Sequence, residues 1–363
     1  MKLFYNFNIK PFLFLRATAG LRLLTQDYQE QILNLVRTVF RKQDSQYFLD
    51  DSWAKIITGE QEGLFLWLSV NYAYQKIKHQ NTQQFDIQNT VAVIDIGGAS
   101  AQIAFSSAQG NNKFLHLPEK TRIQIFSQTI LGYENDQSIL GNTDYASCFQ
   151  KTDGFTVGLN NQSNVKVDVN GNYDFVKCTN AILNFMGIIG CQYLQDGSVQ
   201  SCSSSSKIQQ LTSQKQIIGA SSIFYAKQEL YNKLSLSGDT FTLKQFREQV
   251  KQFCSMILTN TEYQSNSKSF TSCIQMMWES TFLIDGLGLL NNSVTTLQQY
   301  NSFNVDWSLG SLIFDINTMQ CDYLDVSKCD SIKLQDNTQL YSDSRMVNSF
   351  FSLIILLAIN LFI

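Results

Sequence analysis

The residues Val91-Ala-Val-Ile-Asp95-Ile-Gly97-Gly98-Ala99-Ser100-Ala-Gln102-Ile-Ala-Phe105 bring together types suited to phosphate chemistry. Gly97 and Gly98 permit a tight turn, so Gly97, Gly98 and Ala99 present backbone N–H groups with little side chain in the way. Those amides can surround an anion, of which a phosphate is the chemical fit. Asp95 stands beside it, where a divalent cation and its waters belong. Ser100 and Gln102 alternate onto one face and can together hold a water molecule. The bland reading is an ordinary glycine hairpin, and Asp-x-Gly-Gly alone favours that reading. A second acidic group is Glu60 and Glu62, within Gly59-Glu-Gln-Glu-Gly63. Acids near a helix start commonly serve only the helix dipole.

The flanking sequence supplies the elements that would position these groups. Val91 to Ile94 reads as a buried strand, and Ala101, Ile103 and Phe105 resume a second one, which gives a hairpin. Phe12 to Arg16 reads as a strand running into Ala17-Thr18-Ala-Gly20. Thr25 is a candidate cap for a helix to about Lys42, with Asp27 and Glu30 in its first turn and Ile32, Val36, Val39 and Phe40 on its apolar face. A helix is expected over Leu64 to Lys78, with Phe65, Leu68 and Tyr72 on one side. Residues 106–180 read as strands and polar loops. Thr242-x-x-Gln245 is a capping-box candidate ahead of Leu243, Phe246, Val250, Phe253 and Ile257. Phe282 to Leu290 reads as helical, and Phe303 to Gly310 as a strand or turn. Strands alternating with helices indicate an α/β protein.

The chain has 363 residues, enough for two lobes with their own cores, and its net charge is -3. There is no basic stripe interleaved with aromatics, so nucleic acid is not an expected partner. Only two histidines occur, which leaves little room for a His-based zinc site. The eight cysteines are Cys148, Cys178, Cys191, Cys202, Cys254, Cys273, Cys321 and Cys329, and no Cys-x-x-Cys occurs. An even number, all late in the chain, suits disulfides in an oxidising compartment, with free buried thiols as the alternative. Asn161-Gln-Ser163 and Asn291-Asn-Ser293 are glycosylation sequons, a pattern that is frequent by chance. Met1 to Leu15 has the look of a signal peptide, but polar residues and Pro11 interrupt it. Val347 to Ile363 is apolar all round and reads as a membrane tail at the short limit for a spanning helix. The competing readings are a buried terminal helix and a lipid-anchor signal with a short spacer.

Several of these pieces together resemble the apyrase, or nucleoside triphosphate diphosphohydrolase, family. Ala17-Thr-Ala-Gly-Leu-Arg-Leu-Leu24 is similar to its second motif. Gly59 to Gly63 with Leu64-Phe-Leu-Trp67 and Asn71-Tyr72 resembles its third. Asp95 to Gln102 resembles its fourth, and Trp307-Ser-Leu-Gly310 its fifth. The order is that of the family, and the resemblance covers most of residues 10–320. It implies a two-lobed actin/Hsp70-like (ribonuclease H-like) α/β fold with nucleotide in the cleft. Residues 1–58 and 303–340 would belong to lobe I, which is expected to be N-terminally incomplete. Residues 59–302 would form lobe II. The family's first motif has no counterpart before Ala17, Ala101 stands where the family usually has Thr, and Ser272-Cys273-Ile274 stands where it often has Tyr-Cys-Phe.

The resemblance also implies roles. Glu62, rather than Glu60, would be the base in an attack of water on the terminal phosphorus. Ser100 and Gln102 would orient the water, and Gly97, Gly98, Ala99 and Thr18 would face the phosphates. Asp95 would hold calcium or magnesium through water. Disulfides Cys148–Cys178, Cys191–Cys202 and Cys254–Cys273 are implied, leaving Cys321 with Cys329. The expected partners are a nucleoside di- or triphosphate and a membrane. The active domain would be extracellular or in the lumen of the secretory pathway. An exopolyphosphatase or sugar kinase could share the hairpin, but would not be expected to share Ala17 to Leu24 or Trp307 to Gly310. The alternative within the fold is a catalytically impaired nucleotide-binding or structural membrane protein, or a truncated gene model.

Overall fold

The computed structural model describes residues 13–42, 50–77, 89–97, 100–111, 123–129, 147–148, 152–159, 162–169, 173–185, 216–234, 238–259, 267–300 and 303–323. The expected tail Val347 to Ile363 lies outside them, as do Gly98 and Ala99. No helix among the described residues is long and apolar enough to cross a membrane.

The first elements are β1 (Leu15–Ala17), a short helix α1 (Ala19–Arg22), α2 (Gln26–Arg41) and β2 (Ala54–Ile56). β1 and β2 form a parallel pair. On α2 the expected apolar face holds in part, with Ile32, Val36 and Phe40 half-buried. Leu33 is the buried residue, while Val39 is 57% exposed. The reason is Arg37, whose guanidinium donates to Ala54 O at 3.0 Å and Asp51 O at 3.1 Å. Those bonds turn the Leu33–Arg37 side of the helix toward β2.

Among the described residues the main sheet has six strands: β3 (Ala92–Ile96), β4 (Ser100–Asn111), β5 (Ile123–Thr129), β8 (Ile217–Ser221), β9 (Thr240–Thr242) and β10 (Ser293–Thr296). Their order is β5-β4-β3-β8-β10-β9. β3, β8 and β10 run parallel, and the other three run antiparallel to their neighbours. A separate hairpin pairs β6 (Thr152–Leu159) with β7 (Gln162–Val169). Period-two alternation splits the sheet's residues between two cores. Ala92, Ile94, Ile96, Ala101, Ile103 and Phe105 join the larger one. Most of its other contributors come from α4 (Phe175–Phe185), α5 (Ser222–Leu234), α6 (Leu243–Thr259) and α7 (Ser267–Thr281). The capping box ahead of α6 is present: Gln245 N donates to Thr242 Oγ1 at 3.1 Å, and Thr242 N donates to Gln245 Oε1 at 2.9 Å. Phe282 to Gly286 extends α7 as a π-helical turn.

The second core lies on the opposite face, where Val91, Val93, Ala104, Ile218 and Ala220 meet α3 (Gly59–Ala73). Two boundaries differ from the sequence reading here. α3 begins at Gly59, because Thr58 and Gln61 form a capping box, and it ends five residues before Lys78. Gln75 sits there in the left-handed region (φ 55°), and Lys76 N returns to Asn71 O at 2.8 Å. α3 is also buried on nearly every side rather than on one stripe. Its outer face is covered by α8 (Trp307–Tyr323), so the expected strand or turn at Trp307–Gly310 is instead a helix start. Asp306 Oδ1 accepts from Ser308 N at 2.8 Å, which opens that helix. Gly310 marks the crossing: a Cβ there would stand 1.7 Å from the Phe65 carbonyl oxygen. Only a glycine lets the two helix backbones approach this closely.

Candidate functional site

The two faces of the β3–β4 hairpin decide where the polar side chains go. Asp95 follows Val93 on the α3 side, and Ser100 and Gln102 precede Ala104 on the same side. Asp95 and Gln102 are direct cross-strand partners. Gly97 N closes the hairpin onto Ser100 O at 2.8 Å. Asp95 lies near the carboxyl end of β3, the end at which open α/β sheets bind ligands.

Glu62 approaches from α3. Its carboxylate is buried, and Oε2 accepts from Arg22 Nη2 at 2.9 Å. Ser100 Oγ stands 3.5 Å from the same oxygen and accepts from Arg22 Nη2 at 3.1 Å. Arg22 Nη1 also donates to Ile57 O at 2.8 Å. Burial pushes the Glu62 carboxyl above its ordinary range, opposed by the Arg22 guanidinium and the Ser100 hydroxyl. Asp95 is pushed up to about 6, first by burial and further by the Glu62 and Asp306 charges, while a hydrogen bond from Ser221 opposes the shift. The Glu62 and Asp306 carboxylates therefore both act on Asp95, beside the Arg22 guanidinium.

Asn71 aligns the two elements that carry this site. Its side-chain amide donates to Val91 O at 3.2 Å and to Trp67 O at 2.9 Å, and its carbonyl accepts from Val91 N at 2.8 Å. Glu62 is nine residues up the helix from Asn71, about 13 Å at 1.5 Å per residue. Asp95 is four residues along the strand from Val91, again about 13 Å at 3.3 Å per residue. The clamp at one end thus brings the two carboxylates level at the other.

The structure brings Glu62, Asp95 and Ser100 together and sets Gln102 on the same sheet face. Thr18 caps α1 through its carbonyl, which accepts from Leu21 N at 3.1 Å. It makes no side-chain capping bond. Three residues were not singled out from sequence. Arg22 lay inside a recognised motif, and a lone arginine there gives no sign of its partner. Asp306 directly precedes Trp307. Ser221 ends β8 with φ at 61°, an unfavourable backbone state for a residue other than glycine. Its signal was the run Ile217-Ile-Gly-Ala-Ser-Ser222 ahead of a helical pattern, which reads as a strand-to-helix turn. Of the cysteines, Cys148–Cys178 and Cys254–Cys273 are joined by disulfides. Cys191, Cys202 and Cys329 lie outside the described residues, and with them the other two expected pairings.

This sheet order, with parallel β3, β8 and β10 flanked by antiparallel strands, is that of an actin/Hsp70-like α/β protein. In agreement with that class, the crystal structure of nucleoside triphosphate hydrolases from Neospora caninum is similar in fold. Its TM-score is 0.55 at 13% identity, over 86% of this chain and 73% of that one. The chain belongs to the GDA1/CD39 (nucleoside phosphatase) family, whose model matches residues 9–335. Its curated relatives include probable apyrase 3 of Arabidopsis thaliana, 27% identical over 85% of this chain and 67% of that protein. Ectonucleoside triphosphate diphosphohydrolase 1 of Bos taurus is 25% identical over 83% of this chain and 65% of that protein. The chain thus spans about two thirds of the length of these relatives, and 61% of a nucleoside-diphosphatase from Caenorhabditis elegans.

Proposed function

We propose that this chain hydrolyses the terminal phosphate of nucleoside tri- and diphosphates by attack of water. The observation that carries the reading is the buried Glu62 carboxylate, held by Arg22 and Ser100 on the Asp95 face of the glycine hairpin. Glu62 takes a proton from the attacking water. Its raised pKa suits a base working near neutral pH. Ser100 and Gln102 orient that water, and the hairpin amides of Gly97, Gly98 and Ala99 hold phosphate oxygens, with Thr18 facing the same cleft. Arg22 keeps the Glu62 carboxylate aimed while offering its charge to the phosphate. Catalysis of this kind rests on positioning and electrostatics rather than on covalent chemistry.

The residues fit a divalent cation held mainly through water. Asp95 Oδ1 is buried with no protein hydrogen-bond partner among the described residues. Carboxylate charge exceeds guanidinium charge in the cluster. Among the described residues no group of three His, Cys, Asp or Glu side chains could hold a metal by itself. That donor set suits a hard cation that keeps its waters and shares the phosphate, with Asp95 as anchor and Asp306 behind it. When bound, calcium or magnesium supplies charge neutralisation at the phosphate. Residues 59–302 are assigned to lobe II, with 1–58 and 303–340 in lobe I. Val347 to Ile363 is assigned as a membrane tail of a protein whose active domain faces the secretory lumen or the exterior. The reading as a catalytically impaired relative has less support, because Glu62, Ser100 and Asp95 are all present and convergent.

The test is phosphate release from ATP and ADP by the purified full chain, with and without calcium or magnesium. Cation-dependent release that vanishes in Glu62→Gln supports the reading. No release from a folded protein by either nucleotide with either ion would overturn it. Deleting Val347 to Ile363 should release the protein from carbonate-washed membranes, and a parent already soluble after that wash would reject the tail.

A further inference from the structure

We propose that Asn291 carries an N-linked glycan, added while the chain is in the secretory pathway. Two sequons occur in the chain, Asn161-Gln-Ser163 and Asn291-Asn-Ser293, and composition does not distinguish them from chance. Geometry supports the second. Asn292 N donates to Leu289 O at 2.9 Å, which closes a turn and leaves Asn291 and Ser293 both exposed. The acceptor amide and the hydroxyl two residues on are therefore both open to solvent. Asn161 lies outside the described residues.

The surroundings agree on compartment and position. Cys148–Cys178 and Cys254–Cys273 are disulfides, the chemistry of an oxidising compartment, where N-glycosylation also occurs. β10 begins at Ser293 and runs parallel to β8, which runs parallel to β3. Thr296 is level with Gly219, and Gly219 with Ile94. Asn291 is five residues before Thr296, so it lies roughly 20 Å along the strand direction from Asp95, at the opposite end of the sheet. A glycan there leaves the cleft open. Ser293 pairs with Thr242 of β9, the last strand in the sheet order. The sugar would stand beside that edge and hinder another chain from pairing with it.

In the transfer step, the Asn291 amide nitrogen attacks the anomeric carbon of a lipid-linked oligosaccharide pyrophosphate. The new carbon–nitrogen bond replaces the bond to the pyrophosphate oxygen, which leaves with the lipid. One amide proton is lost, and the linkage keeps one N–H.

The experiment produces the full chain in a eukaryotic secretory host. Intact mass is measured without reduction, and peptides are mapped after peptide N-glycosidase treatment in water enriched in heavy oxygen. The expected result is heavy-oxygen aspartate at position 291. The glycan should disappear in Asn291→Gln and in Ser293→Ala and persist in Ser293→Thr, with phosphate release unchanged in all three. The Ser293 pair keeps the test decisive if Asn291→Gln folds poorly. An unmodified Asn291 in disulfide-bonded full chain recovered from that host's secretory pathway would overturn the proposal. So would a glycan on Asn161 alone, or modification at 291 that survives Ser293→Ala. The proposal does not depend on the hydrolase reading, since occupancy is read by mass.

Discussion

Replacing Glu62 by Gln removes one negative charge and almost no volume. The parent carboxylate is 6% exposed, accepts from Arg22 at 2.9 Å and lies 3.5 Å from Ser100 Oγ. Loss of a general base lowers turnover by about 10²–10⁴. At about 1.4 kcal/mol per tenfold, that is roughly 3–6 kcal/mol of transition-state stabilisation. Stability should respond far less. Losing the charge-assisted bond costs about 1.5–3 kcal/mol, but the burial penalty on the carboxylate vanishes with it. Arg22 keeps its bonds to Ile57 O and Ser100 Oγ. The assay pairs phosphate release across pH with a thermal melt. The parent's rate should climb with pH as Glu62 loses its proton, a limb that Glu62→Gln should lack. Glu60, exposed in the same turn, is the control: Glu60→Gln should retain the parent's rate. Near-normal turnover in Glu62→Gln with Glu60→Gln inactive would refute the reasoning.

Gly310→Ala should cost about 3 kcal/mol or more, the upper end for overpacking, because its Cβ would meet Phe65 backbone at 1.7 Å; denaturant unfolding measures it. Glu279, fully buried, is pushed up from 4.5 to about 7 by burial, so between those values the folded chain holds a proton that the unfolded chain has released. Stability should therefore fall by about 3 kcal/mol as pH rises from 4.5 through 7, and Glu279→Gln should flatten that window in melts run across pH. Asn71→Ala should lose the clamp between α3 and β3, lowering the melting temperature and cutting turnover about tenfold or more through misplacement of Glu62 against Asp95. A variant that melts early but turns over normally when folded would limit Asn71 to stability.

Asp95 joins the face of Ser100 and Gln102 through the hairpin register that pairs it with Gln102. The alternation after Gly98 sets Ser100 and Gln102 on one face, because a strand's period of two is a local property. The same holds for the Thr242–Gln245 capping box and for the glycine turn at Gly97. These features depend on hydrogen bonds and dihedrals within a few residues, and those are written in adjacent side chains. Arg22 is different. Its partners Glu62 and Ser100 lie 40 and 78 residues away, and nothing near Arg22 names them. The charge of Asp306 reaches Asp95 only once α8 lies across α3, and that crossing depends on the notch left by Gly310. The exposed side of α2 was likewise decided at a distance, when Arg37 bonded Ala54 O and turned Leu33 inward. Local sequence sets the periods, caps and turns. Which charged groups meet is decided by how whole elements pack, since one residue's identity says nothing about the crossing of two helices that both lie far from it in the chain.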